Sequence, residues 1–277
     1  MIVSRALLVL VLAGASGAGG IRAGGPGLQG GLSITFLANE GVVLSATDSG
    51  RTRQVLIDAL FEPYESYAVP AESTRAALRS ARTPYDAADL ILVTHRHGDH
   101  FHPAPLAQHL RANPRAVVVA SRQVIDSLQD RLAPELRRGN RVAARTVVPG
   151  SRRTLLVNGI PVELLGLAHG GRRHRHVEHL AFVVDLDGRR VLHVGDAELS
   201  EATLAPLRID TMRIDVALLP YWALTDADTR RAVERWIRPK RIAAIHLASG
   251  DTGARNEIRS VAPRAHVFLE PLERVEW

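Results

Sequence analysis

A run of four apolar residues, Leu90-Ile-Leu-Val93, passes without a spacer into Thr94-His-Arg-His-Gly-Asp-His100. A short unbroken apolar run is the mark of a buried strand. Its end carries three histidines and one aspartate within six positions. In extended backbone His95 and His97 point to the same side, so both imidazoles can reach one cation. Gly98 permits a sharp turn. Asp99 and His100 then present ligands to a neighbouring cation. The chain has no Cys, which excludes a disulfide framework, a Cys-ligated zinc, an iron–sulfur cluster and a thiol nucleophile. Imidazole with carboxylate and no thiolate suits Zn²⁺, Mn²⁺ or Fe²⁺. The alternative, a chance run of surface histidines, fits poorly with the strand that leads into it.

Punctuation along the rest of the chain places this segment in a larger pattern. Ser33–Leu37, Val42–Ala46 and Gln54–Ile57 read as strands joined by the turns Asn39-Glu-Gly41 and Thr47-Asp-Ser-Gly50. A helix is expected over Ala71–Ala81 and another over Pro103–Arg111, with Pro near its start. Ala116–Ala120 reads as a strand, and Ser121 caps a helix reaching Leu132. Strands are then expected at Arg141–Val148, Arg153–Val157, Val162–Leu167, Ala181–Leu186, Arg190–Val194 and Val216–Leu219. Asp226–Ile237 is an amphipathic helix closed by Pro239. Arg241–Ile245 is a strand, Thr252–Val261 a helix, and His266–Leu269 a last strand. Strands followed by mixed strands and helices, twice over, predict an α/β fold: a four-layer αββα sandwich of two mixed sheets with outer helices.

With 277 residues, 46% of them hydrophobic, the chain has ample material for a core. Met1–Arg5 is a short basic start, Ala6–Ala13 is apolar, and small residues follow, with cleavage expected after Ala15 or Ala18. This is the layout of a signal peptide over 1–18, which implies export to the periplasm or medium. The apolar run is too short to span a bilayer, so no transmembrane span is expected in the mature chain. Residues 19–32 read as a flexible Gly-rich leader, and 33–277 as one catalytic domain. The net charge of +6 comes almost wholly from scattered arginine, since Lys240 is the lone lysine. Without a dense basic block or interleaved aromatics, a nucleic-acid partner is not expected.

His95-x-His97-x-Asp99-His100 resembles the hallmark motif of the metallo-β-lactamase superfamily at every position. Four further segments resemble the family's other motifs in order: Val55-Leu-Ile-Asp58, Leu165-Gly-Leu-Ala-His169, Leu192-His-Val-Gly-Asp196 and Ile242-Ala-Ala-Ile-His246. The resemblance implies two divalent metal ions, Zn²⁺ first, with Mn²⁺ or iron as alternatives. It assigns His95, His97 and His169 to one, Asp99, His100 and His246 to the other, and Asp196 to both, with Asp58 buttressing the metal loop from behind. On the residues alone, His169 also fits a plain surface histidine in a Gly-flanked loop, Asp196 a helix cap and His246 a buried hydrogen-bonded histidine.

The implied activity is hydrolysis of an ester, lactone, amide or phosphodiester by a metal-bridging hydroxide, with Asp99 as ligand and catalytic residue. The substrate is then a small or lipid-like molecule, and the motifs are closest to the lactonase and phospholipase D-like branch. An Asp at position 196 argues against a β-lactamase, whose members usually carry Cys or Ser there, but the expected export suits one, and β-lactamase stays as an alternative. A di-iron oxidoreductase or dioxygenase on the same scaffold is the non-hydrolytic alternative. Tyr221 and Trp222 follow a strand end and read either as the wall of a substrate pocket or as ordinary packing. Arg172-Arg-His174-Arg-His176-Val-Glu-His179 departs from the family pattern, which commonly has Asn at the place of His179. These extra histidines read either as a solvated loop or as substrate contacts, His179 foremost. His102 reads as a proton shuttle or as a side chain that faces solvent or packs, and His193 as core.

Overall fold

The computed structural model describes residues 31–64 and 67–277. The expected signal peptide and most of the leader lie outside the described residues. Among the described residues fourteen strands form two sheets of seven. The first sheet contains β1 (Ser33–Ala38), β2 (Gly41–Asp48), β3 (Arg51–Ile57), β4 (Ala88–Val93), β5 (Val117–Ala120) and β6 (Val142–Ala144). The second contains β7 (Arg152–Val157), β8 (Ile160–Leu165), β9 (Ala181–Leu186), β10 (Arg189–His193), β11 (Val216–Pro220), β12 (Arg241–Ile245) and β13 (His266–Val267). The final strand β14 (Arg274–Glu276) returns to the first sheet and pairs antiparallel with β1.

Each sheet begins as an antiparallel meander and continues as parallel strands. β1 to β3 are antiparallel neighbours, and β3 to β6 run parallel. β7 to β10 are antiparallel, and β10 to β13 run parallel. Side-chain alternation divides the apolar residues into three cores. Leu90 and Leu92 of β4 face the space between the sheets, where they join Phe36, Ile57, Val119, Phe182, Val191, Leu218 and Phe268. Ile91 and Val93 face outward onto Leu106 and Leu110 of helix Pro103–Ala112 and onto Val124 and Leu128 of helix Arg122–Leu128. On the far side, Val183, Leu192, Leu219 and Ala244 pack against Val233 of helix Ala227–Trp236 and Ile258 of helix Thr252–Val261. This is the four-layer sandwich. Phe36 of β1 and Phe268, the residue after β13, stack with ring centroids 5.2 Å apart and planes at 12°.

Three expectations need correction. The strand expected over Arg141–Val148 is only Val142–Ala144, because β6 is a sheet edge and the chain leaves it after Arg145 N donates to Ala120 O. The helix opened by Ser121 ends at Leu128, and a single 3-10 turn covers Gln129–Arg131. The strand at His266 is two residues long, and β14 was not anticipated from its Arg-Val-Glu sequence.

Phe182 is fully buried between the sheets. Phe182→Ala should lower unfolding free energy by about 3–5 kcal/mol, read from urea denaturation. A loss under about 1 kcal/mol would mean that the inter-sheet core is not packed as described.

Candidate metal centre

Five strands of parallel sense end at one edge, and each delivers a polar residue there. β3 gives Asp58, β4 gives the His95–His100 loop, β8 leads to His169, β10 to Asp196 and β12 to His246. β1 delivers Asn39 and Glu40 to the same edge. Asn39, Asp58, Gly195 and His246 all have φ between 46° and 63°, so the chain turns sharply as these strands end. Such conformations persist where surrounding structure over-determines them. Backbone bonds tie the two sheets together here: His246 N donates to Asn39 O at 2.8 Å, and Leu180 N donates to Thr94 O at 3.0 Å.

The structure brings His95, His97, His169 and Asp196 together, with one potential ligand atom from each lying within 4.8 Å of the others. Asp99, His100 and His246 form a second group to the same measure. Asp196 stands between them. Its Oδ2 lies 3.4 Å from His169 Nε2 and 3.9 Å from His95 Nε2. Its Oδ1 lies 3.2 Å from His246 Nε2 and 3.4 Å from His100 Nε2. Asp99 Oδ2 is 3.7 Å from His100 Nε2 and 3.8 Å from His246 Nε2.

The protons of the imidazoles are engaged elsewhere. Thr94 N and Thr94 Oγ1 donate to Asp58 at 2.8 and 2.6 Å. Having donated, Thr94 Oγ1 accepts from His95 Nδ1 at 3.0 Å. His169 Nδ1 donates to Gly170 O at 2.7 Å. Both rings therefore turn an unprotonated Nε2 toward His97 Nδ1, at 2.9 and 3.2 Å. His100 Nδ1 donates to Asp58 Oδ2 at 2.9 Å, which aims Nε2 at Asp196 and Asp99. Asp196 Oδ1 and His246 Nε2 are buried and make no hydrogen bond. Converging lone pairs, orphaned buried acceptors and backing donors are what a pair of divalent cations would satisfy.

Electrostatics divides the two groups. Burial, reinforced by His169 and His174, pushes the His97 imidazole down to about 4. Burial and then His100 hold His95 well below its ordinary range. Burial also disfavours charge on His100, but the carboxylates of Asp196 and Asp58 outweigh it and raise its pKa well above normal. Burial would raise Asp196, but His100 outweighs it and keeps the carboxyl ionised.

Tyr221 and Trp222 lie beside the second group, with the Trp222 ring 4.7 Å from His246 and 5.3 Å from Tyr221. His179 departs from the expectation of a substrate contact. It is buried, its Nδ1 donates to Leu167 O at 3.1 Å, and burial pushes its pKa down to about 3. Its ring packs 5.4 Å from His95 and supports the turn at Gly195. His193 is buried, with Nε2 donating to Glu40 O at 2.9 Å. His102 precedes helix Pro103–Ala112 and caps it with backbone alone.

Four residues had no clear signal in the sequence. Asn39 Nδ2 donates to Asp99 Oδ2 at 3.2 Å and to Asp99 O at 3.1 Å, so the turn between β1 and β2 fixes the Asp99 carboxylate. Glu40 is fully buried with neither carboxyl oxygen hydrogen-bonded, its Oε2 3.9 Å from His100 Nδ1 and from His193 Nδ1, and burial, with Asp196 next, raises its pKa well above normal. Tyr67 Oη lies 3.1 Å from His246 Nδ1. Thr94 links Asp58 to His95. For Asn39 and Glu40 the only mark was a polar pair that also serves as an ordinary turn.

This fold and centre place the chain in a known family. A model of the beta-lactamase superfamily domain matches residues 53–265, and the chain belongs to the metallo-β-lactamase superfamily. It is 28% identical over 175 residues to a UPF0173 metal-dependent hydrolase from Polaromonas sp., across 60% of this chain and 62% of that protein. Its fold is similar to the metallo-β-lactamase fold protein YhfI from Bacillus subtilis, with a TM-score of 0.58 and 12% identity, covering 90% of this chain and 100% of the other. It is also similar to CmlA, a diiron β-hydroxylase from Streptomyces venezuelae, with a TM-score of 0.53 and 15% identity, covering 91% of this chain and 55% of that one.

At Gly195 (φ 58°) an added Cβ would stand 2.7 Å from His179 Nε2 and 2.9 Å from the Thr94 side chain. Gly195→Ala should therefore cost about 1–3 kcal/mol of stability. Thermal unfolding would measure it, and an unchanged melting temperature would contradict the close packing.

Proposed function

We propose that the chain is a metal-dependent hydrolase with a binuclear centre. The observation that carries this is the division of Asp196, one oxygen toward each group of imidazoles. His95, His97 and His169 would hold one cation, and Asp99, His100 and His246 the other, with Asp196 between. Bound there, two divalent cations would supply a water of lowered pKa and polarisation of the scissile group's oxygen. The chain's residues hold this arrangement in place. Asp58 clamps the start of the metal loop through Thr94 and aims His100. Asn39 fixes the Asp99 carboxylate, which is placed to accept a proton from the attacking water. Tyr67 and Trp222 shield the His246 side from solvent.

A nitrogen-rich donor set without thiolate favours Zn²⁺, with Mn²⁺ or iron as alternatives. The shared fold with a diiron β-hydroxylase gives iron a second reading, which an absorption spectrum separates from a colourless zinc centre. Lactones, esters and phosphodiesters are the substrate classes to try first, and Met1–Ala18 supports export. Among the described residues no helix is long and apolar enough to cross a membrane.

Metal-replete wild type should cleave at least one of a panel of lactones, phosphodiesters and β-lactams. His95→Ala and Asp99→Ala should each lose at least about 100-fold in kcat/KM. Full activity in His95→Ala would overturn the assignment.

The charge states predict a further asymmetry in loading. His97, pushed down to about 4, is neutral above about pH 5, and burial with His100 holds His95 well below the ordinary imidazole range, whereas the raised pKa of His100 means that binding a cation there displaces a proton. Zinc affinity on the His100 side should rise by up to about tenfold per pH unit between 6 and 8, while the His97 side stays nearly flat. Calorimetric titration in buffers of different ionisation enthalpy reads the protons released. Equal release in both binding steps would contradict this account.

A further inference from the structure

The loop from Gly170 to His179 carries charge that the hydrolase reading leaves unused. It is a built feature of the surface. Arg172–His174 forms one turn of 3-10 helix. Gln123 pins the far end: its Nε2 donates to His176 O at 2.7 Å, its Oε1 accepts from Glu178 N at 3.0 Å, and its own N donates to Glu178 Oε2 at 2.9 Å. Val177 and His179 are buried beneath. Glu178 is the one acidic residue of this loop, and its carboxylate is engaged with Gln123 rather than with an arginine.

The near end lies against the metal centre. The His174 ring is 4.6 Å from His169 and 4.8 Å from His97. Arg173 Nε donates to His174 Nε2 at 2.8 Å, which holds the guanidinium beside that ring. Arg173 is otherwise exposed, and among the described residues none of Arg172, Arg173 and Arg175 forms an ion pair. The two Nη groups of Arg173, a fork of donors, make no hydrogen bond among the described residues, and the His174 ring that its Nε holds lies against His97 and His169. The opposite end is aromatic, with Trp222 at 4.7 Å and Tyr67 at 5.3 Å from the His246 ring. A fork of this kind is the preferred receptor for two oxygens of one anionic group.

We propose that the substrate of this centre carries a carboxylate or phosphate group bound by Arg173, with His174 positioning the guanidinium, while its apolar part rests on Tyr67 and Trp222. This specificity rests on the hydrolase reading for its substrate, but its test does not need turnover. The zinc-loaded chain is titrated calorimetrically with phenylphosphonate, phenylacetate and the neutral phenylacetamide. Zinc content and unfolding temperature are measured alongside.

Wild type should bind at least one of the two anions more tightly than the amide. Arg173→Ala should weaken that anion about tenfold or more, leave the amide within about twofold, and keep the zinc content of wild type. The anion with the larger loss identifies the recognised group. Arg173→Lys should recover part of the affinity, because it restores charge without the fork. His174→Ala should give a smaller loss for the same anion. Wild type that binds the amide as tightly as both anions would overturn the proposal, even if it proved an active hydrolase. So would an Arg173→Ala variant that binds all three ligands as wild type does, or loses all three equally. A chain that hydrolyses nothing yet shows the Arg173-dependent preference would keep this proposal and remove the other.

Discussion

Asp196 offers its two oxygens to two different sets of imidazole nitrogens, and that division organises the rest of the molecule. The nitrogens of His95 and His169 have their protons directed away from the centre, so lone pairs and carboxylate oxygens gather in a largely buried space. Unpaired acceptors in such surroundings cost free energy unless a positive charge is shared among them. In the cation-free chain the carboxylates of Asp196 and Asp58 raise the pKa of His100 well above normal and favour its protonated form. A bound cation would take over the role and release the proton. The superfamily to which the chain belongs gives this space its context, and the proposed hydrolysis gives it a use.

The scaffold is arranged to bring this about. Parallel strands within each sheet end at one edge, and packing the sheets face to face sets the two edges side by side. The register is held by the apolar layer around Phe36, Phe182 and Phe268 and, nearer the centre, by backbone bonds such as His246 N to Asn39 O. Behind the histidines, Asp58 accepts from Thr94 and from His100, so one buried carboxylate orients ring nitrogens in both groups. Sharp turns in left-handed conformation at Asn39, Asp58 and His246 let strand ends deliver side chains inward instead of continuing the sheet.

Much of this was legible in the chain. Leu90–Val93 followed by His95, His97, Asp99 and His100 compresses strand, turn and ligand set into consecutive residues, so local pattern was enough. His169, Asp196 and His246 could be placed at strand ends by pattern, but their mutual distance depends on how two sheets pack, which periodicity does not encode. Asn39 and Glu40 look like any hairpin turn in sequence, and their contacts with Asp99 and His193 are long-range. Tyr67 lies in an irregular segment without periodicity. β14 has one hydrophobic residue in three and exists because β1 leaves an open edge for it. His179 was misplaced because a histidine run invites an exposed reading, whereas Val177 and Leu180 draw that end of the loop into the core.

The centre has a buried side of histidines and carboxylates and the Trp222 ring beside His246, and the proposed anion contact at Arg173 comes from a different part of the chain. The central claim concerns the buried side. Anomalous diffraction from crystals of the zinc-soaked protein, recorded on both sides of the zinc absorption edge, tests it most directly. The account predicts two peaks, one among His95, His97 and His169 and one among Asp99, His100 and His246, with Asp196 reaching both. A single peak, or a peak held by Glu40, Asp58 and His100 instead, would contradict it.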